Sequence, residues 1–147
     1  MKLSTRGRYG TRVLLDLALR EGKGAVPLKD IAKRQQISLP YLEHLITPLV
    51  SAGIVRSTRG ARGGVWLAKL PQEIKLSEVV GLFEGSIALV ECVTDPKTCP
   101  RSGFCATRDV WSELKKVMDG VLESVTLQDL VERQKAKERP TEAMYYI

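Results

Sequence analysis

No apolar run in this chain is long enough to cross a membrane, and Met1-Lys2-Leu3 is not followed by the hydrophobic core of a secretory signal. These absences lead to the expectation of a cytoplasmic protein without a membrane partner. Histidine is nearly missing: His44 stands alone in 147 residues. There is no Cys-x-x-Cys pair, no histidine near a cysteine and no phosphate-binding loop. Thiol oxidoreductase chemistry lacks its usual groups, so a protein that is not an enzyme is expected. Cysteines number three, an odd count without an export signal, which argues against a disulfide framework. No internal repeat is present.

Hydrophobic residues make up 44% of the chain, enough for the core of one domain with an extension. The net charge of +6 is unevenly spread. Residues 1–70 hold 13 Lys+Arg against 4 Asp+Glu, a balance of +9, and residues 71–147 hold 10 against 13, a balance of −3. A basic first half is the footprint of phosphate binding and predicts strong salt dependence.

The basic half contains PLKDIAKRQQISLPYLEHLITPLVSAGIVRSTRGARGGVWL, from Pro27 to Leu67. Its spacing predicts a helix over Leu28–Gln35 with Ile31 and Ala32 inward, a turn at Gln36-Ile37-Ser38, and a second helix. Ser38 suits its N-cap, and Pro40 falls in its first turn, where no intrahelical N–H is needed. Leu42, Leu45, Ile46, Leu49 and Val50 recur at helical spacing and should face inward, leaving Tyr41, Glu43, His44 and Thr47 outside. Pro48 predicts a bend or a restart, and Gly53 a C-terminal cap. Ile54-Val55-Arg56 and Val65-Trp66-Leu67 read as strands of a ribbon. Its tip carries Arg59 and Arg62 on a turn kept slim by Gly60, Gly63 and Gly64. A capped helix with a polar outer face suits the major groove, and an arginine-tipped ribbon suits a narrow minor groove. Glu43 is placed to accept from a cytosine amino group, and His44 or Tyr41 to meet a base edge or phosphate.

Before this unit, Ser4 or Thr5 caps a first helix of about four turns. Tyr9, Val13, Leu14, Leu17 and Ala18 form its inner stripe. Arg6, Arg8 and Arg12 near its start suggest either an N-terminus facing a phosphate or a solvated basic face. Ala25-Val26 reads as a short strand pairing with the ribbon. Pro71 marks an exit, and Leu76–Phe83 a helix with Val79, Val80 and Phe83 inward. A long amphipathic helix runs from about Ala106 to Ser124. Val110, Leu114, Val117 and Val121 form one ridge, and Trp111, Met118 and Val125 another. One chain cannot bury all of that stripe, so a two-fold homodimer is expected. Thr126-Leu127-Gln128-Asp129 resembles a capping box opening a last short helix. Residues 135–140 are charged and expected to be loose. The division is thus a winged helix-turn-helix unit over 1–70, cysteine loop and dimerisation helices over 71–135, and a flexible tail over 136–147. The fold class is mainly α with a small β-ribbon.

Cys92, Cys99 and Cys105 lie in ECVTDPKTCPRSGFC as Cys-x6-Cys-x5-Cys, bent by Pro96, Pro100 and Gly103. Thiolates so spaced in a loop can converge on one centre, an iron–sulfur cluster or zinc. The spacing is not that of a structural zinc ribbon, which lowers zinc.

The opening MKLSTRGRYG, the SLPYLEHL helix, the STRGARGGVWLAK wing and the cysteine segment together resemble a family of dimeric winged-helix bacterial regulators. That family includes the IscR, NsrR and CymR branches, and the resemblance spans nearly the whole chain. It implies a sequence-specific transcription regulator, in the repressing direction, on a palindromic operator. In the IscR-like branch three cysteines at this place hold a cluster, with a histidine three residues after the last. That position here is Arg108, which has no free lone pair. In the nitric-oxide-sensing branch the fourth ligand is an aspartate at the position of Arg8, so that solution is absent too. Asp109, Glu91, Asp95 or an exogenous molecule remain open as fourth ligand. A 2Fe–2S cluster is favoured over 4Fe–4S, with iron–sulfur biogenesis genes as the expected targets. Pro40 replaces the serine common in the IscR-like helix. The ending, Glu142 to Ile147 with Tyr145, Tyr146 and Ile147, looks like that of CymR. It implies docking to cysteine synthase and an alternative role in cysteine and sulfur metabolism. CymR lacks the three cysteines, so the chain mixes two branches.

Overall fold

The computed structural model describes residues 2–139. Ser4 opens α1 (Thr5–Leu19) by accepting the Gly7 N–H on its side-chain oxygen at 3.0 Å. The helix then buries Val13, Leu14, Leu17 and Ala18, as its spacing requires. Tyr9 is half-buried against the core. α2 (Leu28–Gln35) buries Ile31 and Ala32. Gln36 takes a left-handed conformation, φ +56°, and its turn brings the Ile37 N–H onto the Ala32 carbonyl at 3.0 Å. Ser38 then caps α3 (Leu39–Ser51), accepting the Tyr41 N–H at 3.2 Å.

Leu42, Leu45, Ile46 and Leu49 of α3 are buried, but Val50 is not: it is 37% exposed, at the edge of the stripe. Of the bend or restart expected at Pro48, the restart does not occur. α3 runs unbroken through it, because Pro48 lies in the last turn and forfeits one bond, to the His44 carbonyl. Gly53 closes the helix at φ +74°, with its N–H on the Val50 carbonyl at 3.0 Å. Strands β1 (Val55–Thr58) and β2 (Gly64–Leu67) pair antiparallel, Arg56 opposite Trp66 and Thr58 opposite Gly64. The short strand at Ala25-Val26 is a single bridge: Val26 and Val65 exchange two N–H···O bonds of 2.9 Å.

A 3-10 turn over Pro71–Glu73 leads to α4 (Leu76–Glu84), which buries Val79 and Val80 and lays Phe83 half-buried on the core. The cysteine segment, expected as plain loop, carries α5 (Glu91–Thr94) and a 3-10 turn over Pro96–Thr98. α6 spans Ala106–Ser124, the expected bounds. Thr126 and Asp129 form the capping box of α7 (Leu127–Glu138), with N–H···O distances of 3.2 and 2.9 Å. α7 continues through Lys135 to Glu138, so the loose stretch expected over 135–140 and the tail expected from 136 do not begin there. Its last turns carry Gln134 donating to Glu138 at 2.8 Å, the i,i+4 support a helix end needs.

One core crosses residue 70. Ile74, Val79, Leu127 and Val131 share a buried cluster with Val13, Leu14, Leu42 and Val65. α4 and α7 both pack on α1, so the helices after the wing complete the first unit rather than stand apart. The first ridge of α6 stays in solvent: Val110, Leu114, Val117 and Val121 are 49, 41, 65 and 56% exposed. Of the second ridge, Trp111 is exposed, Met118 is half-buried and only Val125, just past the helix, is buried. No helix among the described residues is long and apolar enough to cross a membrane.

Candidate nucleic-acid interface and cysteine segment

The outer face of α3 is as its period dictates. Leu39, Pro40, Glu43, His44 and Thr47 are all exposed, and Ser38 is exposed at the cap. Tyr41 departs from expectation. It is half-buried, its ring meets Tyr9 edge-on at 6.0 Å, and its hydroxyl is shielded without a partner. Tyr41 is thus turned toward α1 instead of outward, because packing against Tyr9 removes apolar ring surface from water.

Tyr9 also gathers cations. The guanidinium carbon of Arg12 lies 4.8 Å from its ring centroid and that of Arg8 5.6 Å. Through this ring, Arg8 and Arg12 of α1 flank the start of α3. Arg12 further donates from Nε to the Gln35 side chain at 3.0 Å and from its terminal nitrogen to the Gln35 carbonyl at 3.4 Å. Arg59 and Arg62 sit exposed on the wing tip, which the Gly63 N–H closes onto the Gly60 carbonyl at 2.9 Å.

The helix-turn-helix is tied to α1 by a buried carboxylate that periodicity did not single out. Asp16 is 3% exposed. It accepts from Arg34 at 2.8 and 3.0 Å, from Gln35 at 2.9 Å and from Arg20 at 3.2 Å. Burial pushes its pKa up, but the bonds from Arg34 and Gln35 and the charges of Arg20 and Arg34 together hold it below the ordinary value. The signal was available: an aspartate within an apolar stripe must find partners or not be there.

The N-terminus of α1 does not offer an open anion site. Glu84 of α4 already occupies it, accepting the Ser4 N–H at 3.0 Å and the Ser4 hydroxyl. The basic side chains of α1, rather than its helix start, are what faces out.

Cys92 lies in α5, Cys99 follows the 3-10 turn and Cys105 stands at the N-cap position of α6; all three are free and half-buried. Arg108 Nε donates to the Cys92 carbonyl at 2.9 Å, and the Ser102 hydroxyl bonds the Pro96 and Cys99 carbonyls at 2.8 and 2.9 Å. These bonds fold the segment on itself. The Cys105 thiol is held below its ordinary pKa, first by the Thr107 hydroxyl 3.1 Å away and then by the Arg108 N–H, against burial and Asp109. Among the described residues, no three His, Cys, Asp or Glu side chains stand close enough to hold a metal ion, so the expected convergence of Cys92, Cys99 and Cys105 is not formed here. The donor set itself, three unpaired thiols with one biased toward thiolate, suits a thiolate-ligated group in its chemistry. Tyr145, Tyr146 and Ile147 lie outside the described residues.

A capped second helix with a polar outer face, a preceding helix tied to it, and a two-stranded wing define a winged helix-turn-helix protein. The chain belongs to the Rrf2 family of iron-dependent transcriptional regulators, which it matches over residues 3–133. It is 47% identical over 131 residues to Protein rrf2 of Nitratidesulfovibrio vulgaris, covering 89% of this chain and 87% of that one. Among solved structures, T. potens IscR superposes with a TM-score of 0.80 at 40% identity, covering 99% of this chain and 97% of the other. CymR, the global cysteine regulator of B. subtilis, superposes with a TM-score of 0.78 at 38% identity, covering 90% and 98%. The chain is a transcription regulator of this family.

Proposed function

We propose that this regulator is a homodimeric, sequence-specific repressor whose grip on a palindromic operator depends on an iron–sulfur cluster held by Cys92, Cys99 and Cys105. The observation that carries the DNA half is the exposed row Pro40, Glu43 and His44 on a helix capped by Ser38, beside Arg8 of α1 and with Arg59 and Arg62 exposed on the wing. Glu43 accepts from a cytosine amino group, and Arg59 enters the minor groove. The exposed ridge of α6 supports the dimer. Val117 and Val121 border an open apolar cleft of about 690 Å³ that Leu15, Leu76 and Val80 also line. An apolar ridge beside an apolar cleft is a surface a two-fold partner covers.

The sensing half rests on three free thiols in one folded segment and on the likeness to IscR. A bound 2Fe–2S cluster would supply a group that oxidants and iron shortage remove. The chain's part is to supply three sulfurs; Arg108 cannot be the fourth ligand and is already bonded to the Cys92 carbonyl. Such a group would tie Cys92 of α5 and Cys99 after the 3-10 turn to Cys105 at the start of α6, the helix proposed to carry the dimer contact. Targets in iron–sulfur biogenesis follow from this reading.

Anaerobic purification from iron-replete cells tests it. The expected protein is coloured, contains iron and sulfide, and binds its own promoter region differently with and without the cluster. Cys92→Ala removes the colour. Colourless protein without iron rules out the cluster while leaving DNA binding to be judged alone by its salt dependence.

The match to CymR supports a second reading, a cysteine-metabolism repressor that engages cysteine synthase through Tyr145, Tyr146 and Ile147. Deleting Tyr146 and Ile147 then abolishes co-elution with cysteine synthase. Unchanged co-elution, or none to begin with, removes this reading.

A further inference from the structure

We infer that Leu39 and Pro40 form an apolar tip on α3 that reads a thymine C5-methyl group in the major groove. This rests on the DNA-binding reading above and adds a residue, Leu39, and a chemical target to it.

Leu39 and Pro40 are the first two residues of α3, immediately after the Ser38 cap. In a helix-turn-helix the N-terminal residues of the second helix are those that reach base edges. Leu39 is 42% exposed, while Leu42, Leu45 and Leu49 of the same helix are fully buried. Pro40 is exposed beside it. Neither side chain can donate or accept a hydrogen bond. The only apolar group that a base pair presents in the major groove is the thymine methyl. Cytosine has the same ring edge without it and gains nothing from such a tip.

Helical spacing places the tip within the polar face. Leu39, Glu43 and Thr47 follow at intervals of four, and Pro40 and His44 form the adjacent row, all exposed. Neighbouring side chains on such rows stand about 5–6 Å apart, and base pairs about 3.4 Å. The thymine therefore lies one or two base pairs from the one that Glu43 addresses. The surroundings choose DNA over an apolar protein surface as the occupant. Lys33 of α2 is exposed close by in sequence, and residues 1–70 carry a balance of +9.

The test uses the full chain and its own promoter region, amplified once with thymine and once with uracil in its place. Sequence, pairing and charge are unchanged; only the methyl groups go. Fluorescence anisotropy is expected to show wild-type affinity falling about fourfold per contacted methyl on the uracil duplex. A Leu39→Ala, Pro40→Ser variant, its fold checked by circular dichroism, is expected to bind both duplexes alike within about twofold. Equal wild-type binding to the two duplexes overturns the inference. So does a variant that keeps the full wild-type penalty, since methyl sensitivity then comes from DNA shape or another side chain. A wild-type protein that does not prefer its promoter to scrambled duplex sinks the DNA reading itself, and this inference with it. A preference for the promoter without any methyl penalty sinks the inference alone.

Discussion

Glu84, the last residue of α4, seats its carboxylate on Ser4, the N-cap of α1, accepting the Ser4 N–H at 3.0 Å together with its hydroxyl. The two residues are 80 apart in sequence. The contact settles a helix dipole and an open N–H with one group, and it joins the helix that precedes the cysteine segment to the helix that carries Arg8 and Arg12.

Replacing Ser4 with alanine is expected to lower stability by about 1 kcal/mol, and Glu84→Ala by about 1–2 kcal/mol, because the α1 start is left open. Glu84→Gln should lose less, since an amide oxygen still accepts. Next to this contact a Cβ at Gly10 would collide with the Phe83 ring. Gly10→Ala, which ordinarily favours a helix, should therefore destabilise by about 1–3 kcal/mol. Combining it with Phe83→Leu should recover part of the loss. Urea unfolding of the four single variants and the pair checks the set.

Asp16 makes stability depend on pH in a stated direction. Its folded pKa is below its unfolded value. Its contribution is therefore complete above the unfolded value and is lost as pH falls through the folded one. Asp16→Asn should flatten that acid-side slope. Asp16→Ala leaves Arg34 and Arg20 without their acceptor, and since those side chains are 32 and 30% exposed the expected loss is about 2–3 kcal/mol. Unfolding curves between neutral pH and the acid limb, wild type against both variants, measure it.

Glu43→Ala should relax preference at one operator position by about 1–3 kcal/mol with little change in salt slope. Arg59→Ala should weaken binding most where the operator is rich in A·T pairs and should reduce the salt slope by about one. Anisotropy titrations on operator variants at several salt concentrations separate the two signatures. Identical signatures would contradict the assignment of one residue to the major and the other to the minor groove.

Val117→Asp and Val121→Asp place charge on the exposed ridge of α6, where the single chain leaves these residues 65 and 56% exposed. Sedimentation velocity is expected to show a monomer of unchanged helical content, with operator affinity falling together with the second half-site. A dimer that persists in both variants moves the interface elsewhere.

The features legible in the sequence share one physical property: they close within a few residues. The Ser38 and Thr126 caps reach three residues ahead, the α6 bounds follow a local period, and the ribbon joins strands a few residues apart. Chain order was thus sufficient to place the helix-turn-helix, the wing and the long amphipathic helix. Tertiary structure alone decided what Asp16, Tyr41 and Glu84 do, because their partners sit 18, 32 and 80 residues away and only packing brings them together. It turned Tyr41 from the groove toward Tyr9, filled the α1 start with Glu84, and joined residues on both sides of position 70 in one core. Periodicity names the face a side chain leaves by; the neighbour that meets it there depends on the whole fold.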